Sequence, residues 1–240
     1  MSLTKEIRYK LPSLLIILAL SAGTLSAEKP SGSVRTSIIG DSIEKQLLFN
    51  GKIWTNIYHM TEGHQFFSSR DFLPGSVSMN SKVFSGPSLR LKLDLVNDEL
   101  LLSADKSTVL QLNKEMVDFF NLEAEGRTFH FVRLGGDSIN SLSGYFNLLY
   151  SGSAGLYVSY KKELRLRSSV GERDTFIQMQ SVFLVRDGIA HRITGRASLM
   201  KLLADRKIQV RRFIRSEKLR ITKNNPGNMV PVMEYYDGIE

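Results

Sequence analysis

The sequence predicts a mainly β (α+β) protein: an antiparallel β meander, sandwich or half-open barrel followed by two or three short C-terminal helices. Three observations predict this fold class. Hydrophobic and polar residues alternate in the strongest strand pattern, residues 88–96. Turn-forming residues recur at short intervals from residue 65 to residue 193, as in an antiparallel meander. At Arg196 the hydrophobic period changes from that of a strand to that of a helix.

The clearest strand is the segment SLRLKLDLV. Its leucines alternate with charged residues, which predicts a sheet with one buried face and one face in water. The leucines are Leu89, Leu91, Leu93 and Leu95, and the charged residues are Arg90, Lys92 and Asp94. Asn97-Asp98 then predicts a hairpin into the apolar run at Leu100–Leu102.

Further strand patterns bring the predicted total to roughly nine to eleven strands. They lie at Ser76–Asn80, Thr108–Leu112, Thr128–Leu134, Gly144–Tyr150, Gly155–Lys161 and Thr175–Arg186. Asn113–Leu122 fits either a short helix or an edge strand. Asp187-Gly188 lies between apolar runs, and this dipeptide is among the strongest signals for a two-residue hairpin.

Three short helices are predicted after the strands. Ser198 is a candidate N-cap for the first, and the second follows Asp205. Asn228 is a candidate cap for the third, which places Pro231 in the first turn, where a missing N–H costs little. The predicted buried side chains of the first two helices are Leu199, Leu202, Leu203, Val210, Phe213 and Ile214.

The N-terminal 27 residues have the organisation of a secretory signal peptide. Basic residues precede an apolar stretch of about ten residues, and small residues then lead to Ala27. A stable transmembrane helix needs about 20 apolar residues, so this stretch is too short to span a bilayer. We therefore expect export to the periplasm or the medium. The absence of a cysteine after the apolar stretch predicts that the protein is not lipid-anchored.

The predicted organisation has four parts: a signal peptide over 1–27, a flexible lead-in over 28–46, an antiparallel β domain over 47–195 and a basic helical segment over 196–240 packed on it. The chain contains no cysteine. It therefore has no disulfides, thiol nucleophiles or Cys-ligated zinc, and its core must be held by packing and hydrogen bonds.

Several segments resemble uncharacterised exported β-rich proteins of Bacteroidota-type bacteria, which have no established activity. The resemblance lies in LFNGKIWTNIYH, FLPGSV, LRLKLDLVNDELL, VLQLNKEMVDFF and the tail from Leu199 to Tyr236. It implies a secreted, β-rich protein of the cell envelope. It implies no catalytic residues.

The motifs that suggest catalysis or metal binding are incomplete. Gly40-Asp41-Ser42-Ile43 is similar to the nucleophile block of GDSL esterases, but Asp187 and His191 are one residue too far apart for the Asp-x-x-His of that family. His59, Glu62 and His64 are close in sequence, but their spacing does not suit a metal site. Asp94, Asp98 and Glu99 fit solvated turn residues better than a glycosidase pair. We therefore expect no catalytic residues, metal or cofactor.

The strongest charge feature is the C-terminal tail. Residues 191–223 contain eleven Lys or Arg and two acidic residues, a net charge of +9, whereas the whole chain carries +8. Such a segment attracts anionic partners. For an exported protein, anionic lipid, glycans or acidic envelope proteins are better candidates than nucleic acid. The predicted contact residues are Arg206, Lys207, Arg211, Arg212, Arg215, Lys218 and Arg220.

These patterns leave three hypotheses for function. The first is an exported, soluble, non-catalytic binding or structural module of the envelope or periplasm, which contacts an anionic partner through its basic tail. The second is a periplasmic carrier of apolar or lipid ligands in a concave β-sheet. The third is a hydrolase that uses Ser42 as its nucleophile.

Overall fold

A computed structural model of the chain describes residues 52–58, 61–104, 107–135, 142–167 and 173–239. These residues contain eleven strands and three α-helices. The strands are β1 (Lys52–Ile53), β2 (Leu73–Met79), β3 (Lys82–Asp94), β4 (Glu99–Ser103), β5 (Val109–Gln111), β6 (Val117–Ala124), β7 (Arg127–Leu134), β8 (Gly144–Ser151), β9 (Gly155–Arg165), β10 (Thr175–Arg186) and β11 (Ile189–Ile193). The helices are α1 (Arg196–Leu202), α2 (Lys207–Ser216) and α3 (Val230–Gly238).

All eleven strands belong to one open antiparallel sheet. Their order is β1-β5-β4-β3-β2-β6-β7-β8-β9-β10-β11, so from β6 to β11 each strand pairs with the next along the chain. The predicted fold class is therefore confirmed: a mainly β meander is followed by three short helices. One continuous sheet also excludes the sandwich among the predicted alternatives, because a sandwich needs two sheets.

The sheet is strongly curved. Four strands separate β3 from β9, which would place them about 24 Å apart in a flat sheet. Yet the backbone N–H of Lys162 in β9 donates to the carbonyl oxygen of Leu95, just after β3, at 3.1 Å. Residues 62–67 lie beside this contact, since Phe67 N donates to Leu93 O at 2.9 Å and Phe176 N to Glu62 O at 3.3 Å. Curvature of this degree fits the half-open barrel.

The inner face of the curved sheet is filled by large side chains. The four leucines predicted to share a face, Leu89, Leu91, Leu93 and Leu95, are all buried there. The Phe120 ring stacks on Phe131, with ring centroids 5.0 Å apart. It also packs edge-to-face with Tyr145, with the same distance between ring centroids. This cluster comes from strands far apart in the chain, so it holds the curvature.

The other face of β3 differs from its prediction. Lys92 and Asp94 are buried, at 9% and 0% exposure, although the alternation placed them in water. The ammonium group of Lys92 lies between the rings of Phe66 and Phe72, 4.3 and 4.1 Å from their centroids. The Asp94 carboxylate accepts hydrogen bonds from Val96 N at 2.9 Å and from Asn97 N at 3.1 Å. A covering segment distant in sequence therefore removes this face from solvent.

The predicted turns connect the strands at both ends of the sheet. Asp187 and Gly188 have φ values of 52° and 74° and form the two-residue link between β10 and β11, as predicted. Both residues need positive φ in such a turn, which is why Asp-Gly suits it. The Asn97-Asp98 hairpin is also confirmed, between β3 and β4. The ambiguous segment after Leu112 forms a single 3₁₀ turn, Lys114–Met116, and then strand β6.

The helices pack on one end of the sheet. Their buried side chains join those of β9, β10 and β11 in a second hydrophobic cluster. Met229, Val232 and Met233 have no exposed surface, and Leu199, Leu203 and Val210 are equally buried. Pro231 lies in the first turn of α3, as predicted.

Two predicted caps are wrong in position. Ser198 lies in the first turn of α1 rather than before it, and its hydroxyl accepts from Gly195 N at 3.1 Å. The cap of α3 is Met229, because a 3₁₀ turn precedes that helix, and the Asn228 amide donates instead to Arg220 O at 3.1 Å. In both cases the polar side chain satisfies a backbone group of a connecting turn.

Candidate functional site

Helix α2 is fixed to the protein along one side. Val210 and Ile214 are buried, at 0% and 1% exposure, and belong to the cluster under the sheet. Phe213 stacks on Tyr235 of α3 with ring centroids 4.2 Å apart and planes 5° from parallel. With these three side chains in place, the remaining circumference of α2 faces outward.

The outward side of α2 is basic. Four cationic residues of the helix fall within an arc of about 140° at 3.6 residues per turn, and a fifth lies on the turn that ends the helix. We call this set the basic face: Lys207, Arg211, Arg212, Arg215 and Lys218, all exposed. Within the described residues no ion pair involves a member of this set. The face therefore keeps its positive charge.

An exposed isoleucine lies among these cations. Ile208 is 74% exposed and stands between Arg211, Arg212 and Arg215 on the helix surface. An isolated surface isoleucine is ordinary, but one surrounded by arginines on an amphipathic helix is typical of contact with a membrane interface. Ile208 is not among the residues that the sequence patterns predict to contact a partner. Its position on the helix, opposite Val210 and Ile214, is the sequence pattern that could have identified it as an exposed apolar residue.

Two of the predicted contact residues lie apart from the basic face. The Arg206 guanidinium donates to Tyr236 O at 3.1 Å and lies over the Tyr236 ring, 5.5 Å from its centroid. It thus joins the start of α2 to α3. Arg220 is exposed on the turn after α2. The structure therefore brings five of the seven predicted residues together.

A hydrogen-bonded network around Tyr236 fixes the orientation of α2. The Tyr236 hydroxyl donates to the Asp205 carboxylate at 2.6 Å and accepts from Arg186 Nη2 at 2.8 Å. Burial, followed by the bond to Asp205, raises the pKa of Tyr236. The bond from Tyr236 lowers the pKa of Asp205. One of the two acidic residues of the tail is thus engaged by α3 and does not neutralise the basic face.

The residues of the catalytic and metal hypotheses do not form a site in the part of the chain that the structure describes. Ser42 and His59 lie outside the described residues. Glu62 makes an isolated bridge to Thr175, and the His64 ring stacks on Phe66. Among the described residues, no three His, Asp or Glu side chains are arranged to hold a metal ion. The Asp98 carboxylate pairs with Lys114 and accepts a hydrogen bond from Tyr145 N at 3.3 Å. It therefore joins the turn between β3 and β4 to strand β8.

The environments of two histidines predict that stability depends on pH. Burial, then the charges of Lys162 and Arg70, lower the pKa of His64, and burial lowers the pKa of His130. As the pH falls below about 6.5, the unfolded chain binds protons that the folded chain does not, so stability is lost. We expect urea titrations to give a lower free energy of unfolding at about pH 5.5 than at about pH 7.5.

The control for this pH dependence is a variant that carries His64→Gln and His130→Gln. Glutamine keeps hydrogen-bonding capacity but does not titrate in this range, so the loss of stability between these pH values should shrink. If the double variant loses as much stability as the unsubstituted chain, the two histidines are not its source.

No helix within the described residues combines the length and the apolar character that crossing a bilayer requires. No protein-family model, no curated protein and no solved structure matches this chain.

Proposed function

We propose that the protein is an exported, non-catalytic module of the cell envelope that docks on an anionic membrane surface through the basic face of α2. The observation that carries this proposal is the arrangement of Lys207, Arg211, Arg212 and Arg215 around the exposed Ile208. The cations would meet lipid phosphates while the isoleucine enters the interface. Export itself rests on the signal-peptide pattern of residues 1–27.

The expected strength follows from the number of cations. Each Lys or Arg near an anionic bilayer contributes about 1 kcal/mol, so the five of the basic face contribute about 5 kcal/mol at low salt. The isoleucine adds buried apolar area. Binding of this kind is reversible and weakens as salt is added, because the charges are screened. A module of this type rests on the membrane without spanning it.

The carrier hypothesis lacks comparable support. Its concave face would have to enclose a ligand, whereas Phe84, Phe120 and Phe131 occupy the inner face at 0–1% exposure. These side chains belong to one hydrophobic cluster with the leucines of β3 and β4. The curved sheet therefore supplies a rigid support for the helices.

The test is binding to vesicles of phosphatidylglycerol and phosphatidylcholine in a roughly 3:7 ratio. The variant carrying Arg211→Gln and Arg215→Gln loses two cations of the basic face, about 2 kcal/mol, so its affinity should fall roughly 30-fold. The matched control carries Arg165→Gln and Arg167→Gln at the exposed end of β9, with the same change of charge. We expect it to bind as the unsubstituted protein does.

Three results would contradict the membrane proposal. One is an absence of vesicle binding at low salt. Another is an equal loss of affinity in both double variants, which would mean that only the net charge matters. The third is binding to acidic glycans or acidic proteins, but not to vesicles, through the same arginines.

A further inference from the structure

A second surface lies along β10, where the residues before Val182 pair with β9 but not with β11. It is an open groove of about 780 Å³ over β8, β9, β10 and β11. Its lining residues Ser159, Lys161, Ser181 and Phe183 alternate with Val158, Val182 and Leu184, which pack under the helices. The side chains of a strand alternate between the two faces of its sheet, so these four residues face away from the helices. Gln178, Gln180 and Lys223 continue the lining round the edge of β10 to the side that carries the helices. No residue of the basic face lines the groove.

The floor of the groove is apolar, with polar groups above it. Phe146 and Leu142 are buried beneath it, at 5% and 8% exposure. The Phe183 ring meets the edge of Phe146, with centroids 6.0 Å apart and planes at 76°. Hydroxyls and amides are provided by Ser143, Ser159, Ser181, Gln178, Gln180 and Asn224. An aromatic floor with scattered hydrogen-bonding groups is typical of a ligand-binding surface.

The groove is also lined by three cations, one from each of three chain segments. They are Lys161 of β9, Arg192 of β11 and Lys223 of the turn after α2. No Asp or Glu is among its lining residues in the described part of the chain. Glu163, the next residue on this face of β9 after Lys161, lies outside the lining. The field in the groove therefore favours an anionic ligand.

The guanidinium of one of these cations is held by a neighbouring side chain, and the backbone of another is anchored to β10. Arg192 Nη2 donates to Ser181 Oγ at 3.1 Å, and Arg192 pairs with Phe183 across β10 and β11. The side-chain amide of Gln180 donates to the carbonyl oxygen of Lys223, which fixes the turn after α2 against β10. Preorganised cations lose less conformational freedom on binding than free surface side chains do.

We infer that this groove binds an acidic oligosaccharide. Carboxylates on successive sugars would pair with Arg192, Lys161 and Lys223. The sugar hydroxyls would bind the serine hydroxyls and the amides, and the C–H face of one ring would pack on Phe183. A single small anion would leave most of the groove unfilled. A lipid chain fits less well, because in an open groove it would lie among polar groups. An extended, hydroxylated polyanion matches the shape, the hydrogen-bonding groups and the charge together.

The probe for this inference is a tetrasaccharide of galacturonic acid, with maltotetraose as the neutral comparison. Isothermal titration calorimetry at low salt should detect binding of the acidic tetrasaccharide. Binding of maltotetraose should be much weaker. Arg192→Gln and Lys161→Gln should each lower the affinity for the acidic tetrasaccharide roughly tenfold, because each removes a charge-assisted contact. Phe183→Ala should also lower this affinity, because the ring on which the sugar packs is lost.

The matched control for the groove is Arg165→Gln, at the end of the same strand as Lys161 but outside the lining. It should leave affinity unchanged. Urea titrations of each variant separate lost binding from lost folding. The inference is overturned if the acidic tetrasaccharide does not bind, or if equimolar inorganic phosphate displaces it. It is also overturned if Arg211→Gln with Arg215→Gln abolishes binding while Arg192→Gln and Lys161→Gln do not.

Discussion

Replacing Phe120 by alanine should lower the free energy of unfolding by about 3–5 kcal/mol, the usual cost of deleting a buried aromatic side chain. Phe120 has no exposed surface and contacts the rings of Phe131 and Tyr145, on β7 and β8. The variant loses both the transfer free energy of the ring and the contacts around the cavity that remains. Urea denaturation monitored by circular dichroism measures the effect as a lower midpoint with an unchanged slope.

The neighbouring residue in β6 is the matched control for Phe120. Phe119 points to the other face of the same strand, where it is half-buried and contacts the His130 ring at 5.3 Å. Phe119→Ala removes the same atoms at an adjacent position and should cost only about 1 kcal/mol. Equal losses in the two variants would show that the inner face of the sheet is not the principal core.

The second large effect is expected at Ile214 of α2. Ile214→Ala should destabilise the protein by about 2–5 kcal/mol, because a fully buried isoleucine is cut back in the cluster between helices and sheet. Ile208 is the same residue type on the same helix but 74% exposed. Ile208→Ala should change stability by no more than about 0.5 kcal/mol. Thermal and urea denaturation of the two variants give the comparison.

The same pair of variants separates folding from the proposed membrane contact. Ile208→Ala should bind anionic vesicles several-fold more weakly without a change in stability, because it removes the apolar group among the arginines. Ile214→Ala, studied at a temperature where it remains folded, should keep its affinity for vesicles. The reverse outcome, with Ile214→Ala impaired in binding and Ile208→Ala unaffected, would contradict the proposed orientation of α2.

Local patterns predicted the elements of this fold well where one physical requirement dominated. The leucine alternation of β3 is confirmed because every second side chain of a strand meets the same environment. The Asp187-Gly188 hairpin is confirmed because both positions of its turn have positive φ. Val210 and Ile214 are buried as their spacing on α2 predicts.

The predictions that failed depended on contacts that hydrophobic periodicity and single capping residues do not specify. Lys92 and Asp94 are buried because Phe66, Phe72 and the turn at Asn97 cover the outer face of β3. Ser198 and Asn228 do not cap their helices because nearby turns bind their side chains. Arg206 lies apart from the basic face because Tyr236, thirty residues later in the chain, accepts its hydrogen bond. The rings that cover Lys92 and the tyrosine that accepts from Arg206 are remote in sequence, so no local pattern contains them.

The sequence by itself determined the alternation of the strands, their turns, the change to helices at Arg196 and the positive charge of the tail. These features depend on residues within a few positions of one another. Only the tertiary structure decided that one sheet curves until β9 meets the end of β3. It also decided which cations of the tail form the basic face and that Lys161, Arg192 and Lys223 line one groove. Curvature and strand register bring together groups that are distant in the chain, and they are set by the packing of the whole sheet.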